Sequence, residues 1–242
     1  EADEIAKEIK KLKNNYDYKE IAILVRANNH SQSVSAALQR HRIPYQFLGT
    51  GYLFQQEEIK DLIAYLTFLT NLFDTVSLFR VLSMNIFNFP VIELSYLLSS
   101  AKKKNLSLFE TIQEKNLNFL SKSTQNKIDN FTSMVKKHLE KSKKESAGQI
   151  LYYFLVDSGL FKTFQNINSL SQEQRIQNIA KFFDRVKTFE TERADSNIYI
   201  LIEWLNLMLQ MGESPSAVNI DIKDRNAVNI LTVHSSKGLE FK

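Results

Sequence analysis

The sequence predicts a mostly α-helical protein with a small α/β part formed by the two ends of the chain. Short apolar runs typical of strands occur at 21–26, 45–48 and 227–233, whereas the stretch from about 57 to 210 repeats apolar residues at helical spacing. A polar linker at 212–226 separates that stretch from the last strand. The pattern therefore predicts a large all-helical domain inserted into an α/β unit.

The composition excludes several classes of protein. The absence of Cys removes disulfides, thiolate metal sites and cysteine nucleophiles, and it fits a reducing cytosol. The four His residues have no metal-ligand spacing, no apolar run reaches 18 residues, and the start EADEIAKEIKKLKNN is not a signal peptide. We therefore expect a cytoplasmic protein that has no membrane partner and no metal site in this chain.

The first elements form a strand–helix–strand unit. IAILVR (21–26) is a β-branched and apolar run that predicts a strand buried on both faces. Asn28 or Ser31 can cap a following helix of about 11 residues. Pro44 ends that helix, and YQFL (45–48) predicts the second strand.

The middle of the chain predicts helices and little else. The aromatic pairs Tyr152-Tyr153 and Phe182-Phe183 fall at helical core spacing, so we expect them to be buried. Seven segments have helical periodicity: EEIKDLIAYLTFLTN (57–71), TVSLFRVLS (75–83), VIELSYLLSSAKKK (91–104), 116–144, 147–159, 173–194 and 198–210.

A basic run occupies residues 101–144, which hold eleven Lys, no Arg and four acidic residues. Such a run could follow a DNA backbone by releasing counterions. No aromatic side chain interleaves the lysines on an evident face, so a solvated helix face is the favoured interpretation.

Polar side chains follow the first and the last strand. Arg26 and Asn28 come after the first strand, and Thr232 and His234 come at the end of the last one. Ligands of open parallel sheets bind outside the carboxyl ends of the strands. These groups suit phosphate and sugar contacts, although the pattern alone favours a surface cap and a solvated charge for Arg26 and Asn28.

A short turn follows the last strand. Gly238 permits a backbone geometry that a side chain would hinder, and Leu239 and Phe241 anchor the turn, so that Lys237 and Glu240 can point towards a ligand. The chain has no G-x-x-x-x-G-K-[ST] phosphate loop, no paired acids after an apolar strand to hold Mg²⁺, and no G-x-S-x-G elbow. We therefore expect no complete catalytic site in this chain.

Two stretches, TVHSSKGLEF (232–241) and residues 21–69, together resemble the UvrD/PcrA/Rep family of superfamily 1 DNA helicases. TVHSSKGLEF (232–241) resembles motif V of that family, T-[IVL]-H-x-[AS]-K-G-L-E-[FW]. Residues 21–69 resemble the segment that begins [IV]-L-x-R-[TS]-N and closes F-x-x-x-E-[IV]-K-D, whose last motif matches Glu58 to Asp61. Their order fits as well, because the family carries a helical accessory domain between these two motifs. The resemblance spans essentially the whole chain.

The resemblance implies a domain organisation. Residues 1–55 would be the first part of the second RecA-like domain (2A), and residues 56–212 would be the helical accessory insert (2B-like). Residues 213–242 would be a linker and the motif V strand and loop. The two chain ends would then form an incomplete RecA-like α/β unit.

The resemblance also implies roles for the polar residues. Thr232 and His234 would lie at the single-stranded DNA track, and Arg26 and Asn28 would contact the strand or brace the loop.

On the nucleotide side, Glu240 would face the nucleotide near its ribose, and Lys237 and Gly238 would shape the turn that joins the nucleotide to the DNA. ATP and Mg²⁺ would be cofactors of the full-length parent, and this chain alone would bind neither.

The parent would be an ATP-dependent DNA helicase that acts in DNA repair, replication or recombination on single-stranded DNA and single/double-strand junctions. The chain departs from the family at NIFNFPVIEL (85–94), which lacks the Gly-Ile-Gly turn with which many members hold duplex DNA. Three alternatives stay open: the helicase part of an AddA/RecB-type helicase–nuclease, a helical regulatory module that binds a protein partner, and a complete small protein that shares only the pattern.

Overall fold

The computed structural model describes residues 2–26, 30–47, 52–114, 116–164, 170–193, 195–217, 226–233 and 236. The chain divides into two compact units, a sheet unit (Glu1–Tyr52 and Ser216–Lys242) and a helical unit (Leu53–Pro215). In the sheet unit, Tyr52 and Ser216 form an antiparallel bridge. In the helical unit, the Leu53 N–H donates to the Pro215 carbonyl at 2.7 Å. The chain therefore leaves and re-enters each unit at adjacent points.

The sheet unit contains a parallel sheet whose last strand lies in the middle. The order across the sheet is β1-β3-β2, and β3 is parallel to both neighbours. The three predicted strands are confirmed within the residues that the structure describes. In chain order the elements are α1 (Ala2–Leu12), β1 (Ala22–Val25), α2 (Ser31–Arg40), β2 (Tyr45–Phe47) and β3 (Val228–Thr232).

Apolar residues at helical spacing attach α1 and α2 to this sheet. Ala6 and Ile9 of α1 and Val34 and Leu38 of α2 are buried in one core with Ile230 of β3. Because each pair lies on a single face of its helix, burying that face leaves the polar residues in solvent.

The expectation that the first strand is buried on both faces is wrong for one face. Successive side chains of a strand point to opposite faces of its sheet. Val25 is buried in the core with α1 and α2, whereas Leu24 is 53 % exposed. An apolar strand sequence does not reveal which face another element will cover.

The predicted cap of α2 is also not found. The helix follows His30, whose side chain makes no capping hydrogen bond, and Ser31 is already the first helical residue. Asn28, the other candidate cap, lies outside the described residues.

Nine helices build the described part of the helical unit, and all seven predicted segments form helices. The two short helices α6 and α9 were not predicted. With the small parallel sheet, the chain is mostly helical as expected, and none of the helices in the described ranges is long and apolar enough to cross a membrane. The helices are α3 (Glu57–Thr70), α4 (Thr75–Leu82), α5 (Val91–Lys104), α6 (Leu108–Ile112), α7 (Lys122–Lys141), α8 (Ala147–Asp157), α9 (Leu160–Thr163), α10 (Leu170–Thr191) and α11 (Ile198–Gln210).

Side-chain caps explain where five of these helices begin. Each cap accepts a hydrogen bond from a backbone N–H in the first turn, which satisfies a donor that the helix itself cannot. One predicted boundary was wrong: in the segment 116–144 the helix begins only at Lys122, after its cap Ser121. The caps of α4, α6, α7, α8 and α11 are Asp74, Ser107, Ser121, Ser146 and Asn197.

The core of the helical unit surrounds α3, which is buried on most of its circumference. Tyr65 of α3 stacks on Phe154 of α8 with 3.8 Å between the ring centroids. Of the predicted core pairs, Phe182 is fully buried and Tyr153 and Phe183 pack against the core. Tyr152 is 53 % exposed, so the prediction is wrong there. Adjacent helical residues point about 100° apart, and the core covers α8 on the side of Tyr153 but not on the side of Tyr152.

Three polar side chains form a hydrogen-bonded link through this core. The Tyr65 hydroxyl contacts Nδ1 of His138, and Nε2 of His138 lies 3.0 Å from Oδ2 of Asp157. Burial lowers the pKa of His138 and raises that of Tyr65. Burial alone would raise the pKa of Asp157, but hydrogen bonds from Lys137 and His138 keep that pKa low. Neutral His138 therefore accepts from Tyr65 and donates to Asp157, which joins α3, α7 and α8.

We predict that His138→Gln lowers the free energy of unfolding at about pH 7.5 by roughly 1–3 kcal/mol, because buried polar partners lose their hydrogen bonds. The folded His138 resists protonation, whereas the unfolded one takes up a proton near its ordinary pKa of 6.5. The stability of the unmodified chain should therefore fall as the pH drops through that value, and the variant should show a flatter profile.

Urea unfolding between about pH 7.5 and about pH 5.5 measures this difference, in a window where Asp157 stays charged. His30→Gln, the same change at an exposed helix end, is the control and should keep the original pH slope. Identical slopes for both variants would refute the assignment.

Candidate functional site

The carboxyl ends of the strands meet at one edge of the sheet because all three strands are parallel. Val25 at the end of β1 lies opposite Thr232 at the end of β3, and the Val233 N–H donates to the Val25 carbonyl at 3.1 Å. Arg26, the next residue after β1, is exposed, and Thr232 is half-buried. The structure thus brings Arg26 and Thr232, which are far apart in the sequence, to the same edge.

The chain turns immediately after β3. The Ser236 N–H donates to the Thr232 carbonyl at 3.0 Å, and the Ser236 hydroxyl donates to the Val233 carbonyl at 2.8 Å. These two bonds fix a turn directly at the edge that carries Arg26 and Thr232. The other predicted site residues lie outside the described residues: Asn28, His234, Lys237, Gly238 and Glu240.

The described residues do not by themselves fit a magnesium nucleotide. No group of three or more His, Cys, Asp or Glu side chains in the described ranges could hold a metal ion, and the sequence has no phosphate loop. No step of nucleotide hydrolysis can therefore be assigned to these residues alone.

β3 is held in place by a buried asparagine, Asn229, which was not predicted from the sequence. Asn229 is the second residue of β3 and is 4 % exposed. Its Oδ1 accepts from the Gln46 amide of β2 at 2.6 Å, and its Nδ2 donates to the Lys19 carbonyl before β1 at 2.9 Å. One side chain therefore connects β3 to the segments on both sides of it. The available signal was a single amide in the otherwise apolar run AVNILTV.

A second asparagine continues this contact at the start of β3. The Asn226 Oδ1 accepts from the Lys19 N–H at 3.2 Å, and its Nδ2 donates to Asp17 at 3.3 Å. The chain around the start of β3 is therefore held to the segment before β1 along several residues. The Asn226 and Asn229 side chains thus help to fix the register of β3 against β1.

The lysines of the basic run are partly neutralised by neighbouring acids. Lys141 also lies over the Tyr153 ring, 3.5 Å from its centroid. Such pairing is typical of a solvated helix face and favours that interpretation over a continuous phosphate track. The ion pairs are Lys104–Glu114, Lys137–Asp157, Lys141–Glu145 and Lys143–Glu140.

Comparison with known proteins finds one family across the whole chain. The model of the UvrD-like helicase C-terminal domain matches residues 1–242. The proteins named ATP-dependent DNA helicase PcrA from Staphylococcus aureus (strain Mu50) and Staphylococcus epidermidis (strain ATCC 12228) are each 26 % identical over 244 residues. Each alignment covers 100 % of this chain and 32 % of the relative, so the chain spans about a third of the length of these curated relatives.

We predict that Asn229→Leu weakens the sheet by about 1–3 kcal/mol, because the Gln46 amide and the Lys19 carbonyl lose a partner in a buried place. Hydrogen exchange of the β3 amide groups measures the local loss. Asn206→Leu, the same change at an exposed position of α11, should alter protection by less than about 0.5 kcal/mol. Equal protection of β3 in the two variants would contradict the role of Asn229.

Proposed function

This chain belongs to the UvrD-like helicase C-terminal domain family, and on that premise we propose that it is part of an ATP-dependent DNA helicase that steps along single-stranded DNA. The sheet unit would be part of the second RecA-like domain, and the helical unit would be its accessory insert, close to the division at 56–212. The match over all 242 residues carries this proposal, and the names of the PcrA relatives support it.

The proposed DNA contact is the edge that holds Arg26 and Thr232, together with Asn28 and His234. An exposed guanidinium can donate two parallel hydrogen bonds to a phosphate, and a threonine hydroxyl can donate one more. The register between β1 and β3 supports this role because Val25, the residue before Arg26, lies opposite Thr232, so both residues lie at the carboxyl ends of adjacent strands. Contacts of this kind follow the phosphate backbone of DNA and do not recognise its base sequence.

The proposed coupling element is the turn after β3. In this proposal Glu240 faces the nucleotide, and Lys237 and Gly238 shape the turn between the nucleotide and the DNA. The hydrogen bonds of Ser236 support it, because they tie the start of the turn to Thr232. ATP and Mg²⁺ would be bound by the full-length protein, which would work in the cytoplasm in repair, replication or recombination, on single-stranded DNA and on single/double-strand junctions.

A protein partner of the helical unit is a second candidate, and one observation favours it. The first turns of α5 expose three apolar side chains, Val91 (76 %), Ile92 (66 %) and Tyr96 (52 %). Grouped exposed apolar residues are typical of protein-binding surfaces. Val91 and Ile92 lie within the segment 85–94 that lacks the Gly-Ile-Gly turn for duplex DNA, and Tyr96 follows it.

We predict that this chain binds single-stranded DNA weakly and in a salt-dependent way, and that Arg26→Ala lowers the affinity. Loss of one phosphate contact should reduce the slope of log K against log salt by about 0.7. Fluorescence anisotropy with labelled oligothymidylate at several salt concentrations measures both quantities.

Two further variants give this experiment its controls. Arg40→Ala removes the same charge at the other end of the sheet unit, where Arg40 pairs with Asp3, and should leave the slope unchanged. Ile92→Asp should not change DNA binding if the exposed surface of α5 serves a protein partner. Equal losses of DNA affinity in Arg26→Ala and Arg40→Ala would contradict a direct contact between Arg26 and DNA.

We predict that Glu240→Ala in the full-length protein lowers ATP turnover by tenfold or more, the order expected for a positioned electrostatic contact, while single-stranded DNA affinity changes much less. Thr232→Val should show the opposite pattern. Steady-state ATPase rates and DNA binding of the two variants test this, and turnover that survives Glu240→Ala would disprove the nucleotide-facing role. The 242-residue chain alone should not hydrolyse ATP.

A further inference from the structure

The helical unit contains a cavity of about 520 Å³ lined by α3, α4, α9 and α10 and by the segment after α4. Its volume lies within the range of small-molecule binding sites. Much of its wall is apolar, with Met84, Ile86, Leu160, Phe164 and Ile176 among the lining residues. An apolar wall of this kind can hold the body of an organic ligand.

One end of the cavity carries a buried carboxylate. The Glu58 side chain is 9 % exposed, and its Oε1 accepts a hydrogen bond from the Asn178 amide at 2.8 Å. Its Oε2 lies 3.9 Å from Nε of Arg175, which is too long for a hydrogen bond. The Arg175 side chain is 55 % exposed and is therefore able to move away from Glu58.

A second carboxylate lies one helical turn further along α3. Asp61 forms an ion pair with Arg80, 2.8 Å from its Nε, and Nη2 of the same guanidinium donates to Glu57 at 2.7 Å. Burial raises the pKa of Asp61 in spite of this partner. The charge of Arg80 is thus already shared between two acids.

The lining as a whole is balanced in charge, with Glu58 and Asp61 against Arg80 and Arg175, but the exposed Arg175 leaves its shielded part more negative. Of the charged side chains that line the cavity, Glu58 (9 % exposed), Asp61 (19 %) and Arg80 (33 %) are the shielded ones, two carboxylates against one guanidinium. A buried charge without full compensation favours a partner of opposite sign.

We propose that this cavity binds a small organic cation, whose apolar body contacts the apolar wall and whose ammonium or amidinium group binds Glu58. The cation donates a charge-assisted hydrogen bond to Oε2 and takes the place that Arg175 now occupies beside it. This site lies apart from the sheet edge proposed for DNA, and its existence does not depend on the helicase function.

Isothermal titration of the 242-residue chain with tryptamine tests the proposal. Two analogues of similar size serve as matched ligands, neutral 3-ethylindole and anionic indole-3-propionate. Tryptamine should bind one-to-one and at least about tenfold more tightly than either analogue, the range expected for a hydrogen bond to a buried charge. Lack of saturable binding, or equal affinity for the three compounds, would overturn the proposal.

Variants locate the binding and separate it from folding. Glu58→Gln keeps an acceptor for Asn178 and should weaken tryptamine binding about tenfold. Arg175→Gln removes the competing cation and should strengthen it roughly threefold. Glu203→Gln, an exposed glutamate of α11 that does not line the cavity, should have no effect.

A further variant fills the cavity mouth without touching the core. Ser83 is exposed and lines the cavity, so Ser83→Trp should abolish binding while the circular dichroism spectrum stays unchanged. Retained tryptamine binding in this variant would place the ligand elsewhere. Binding of a capped Leu-Lys-Leu peptide without any binding of tryptamine would overturn the assignment to a small molecule.

Discussion

The sheet unit depends on the backbone hydrogen bonds that β3 makes with β1 on one side and β2 on the other. β3 comes from the far end of the chain, so the sheet is complete only when that end returns. The entropy cost of closing a loop rises slowly with its length, by about 0.6 kcal/mol for each doubling. A folded insert that the chain enters and leaves at adjacent points, Leu53 and Pro215, suits this requirement.

The register of β3 then decides what the sheet presents at its edge. A slip of one residue would turn every side chain of the strand to the opposite face, and it would separate Thr232 from its place opposite Val25. Asn229 opposes such a slip because its amide has specific partners on both sides. The proposed DNA contact is therefore held by a buried polar residue that would not touch DNA itself.

Buried polar groups play two different parts in this chain. Asn229 and His138 are each surrounded by hydrogen-bond partners, so they specify how strands or helices fit together. Glu58 differs. Its Oε2 lies near the Arg175 guanidinium but accepts no hydrogen bond from Arg175, and the Glu58 side chain lines a cavity. We interpret the first two as structural and the third as a site that is open to a ligand.

Features that depend on neighbouring residues were predictable from the amino-acid sequence. Helices α3, α5 and α11 begin and end within a residue of the predicted segments, because apolar spacing and capping are properties of neighbouring residues. The strands and the motif after β3 are also local, and they pointed to the family. Only the folded structure shows that Leu24 is exposed, that Tyr152 faces outwards, and that four helices enclose a cavity with buried charges. Each of these depends on which distant element covers a given face, and the spacing of residues along one segment carries no information about that.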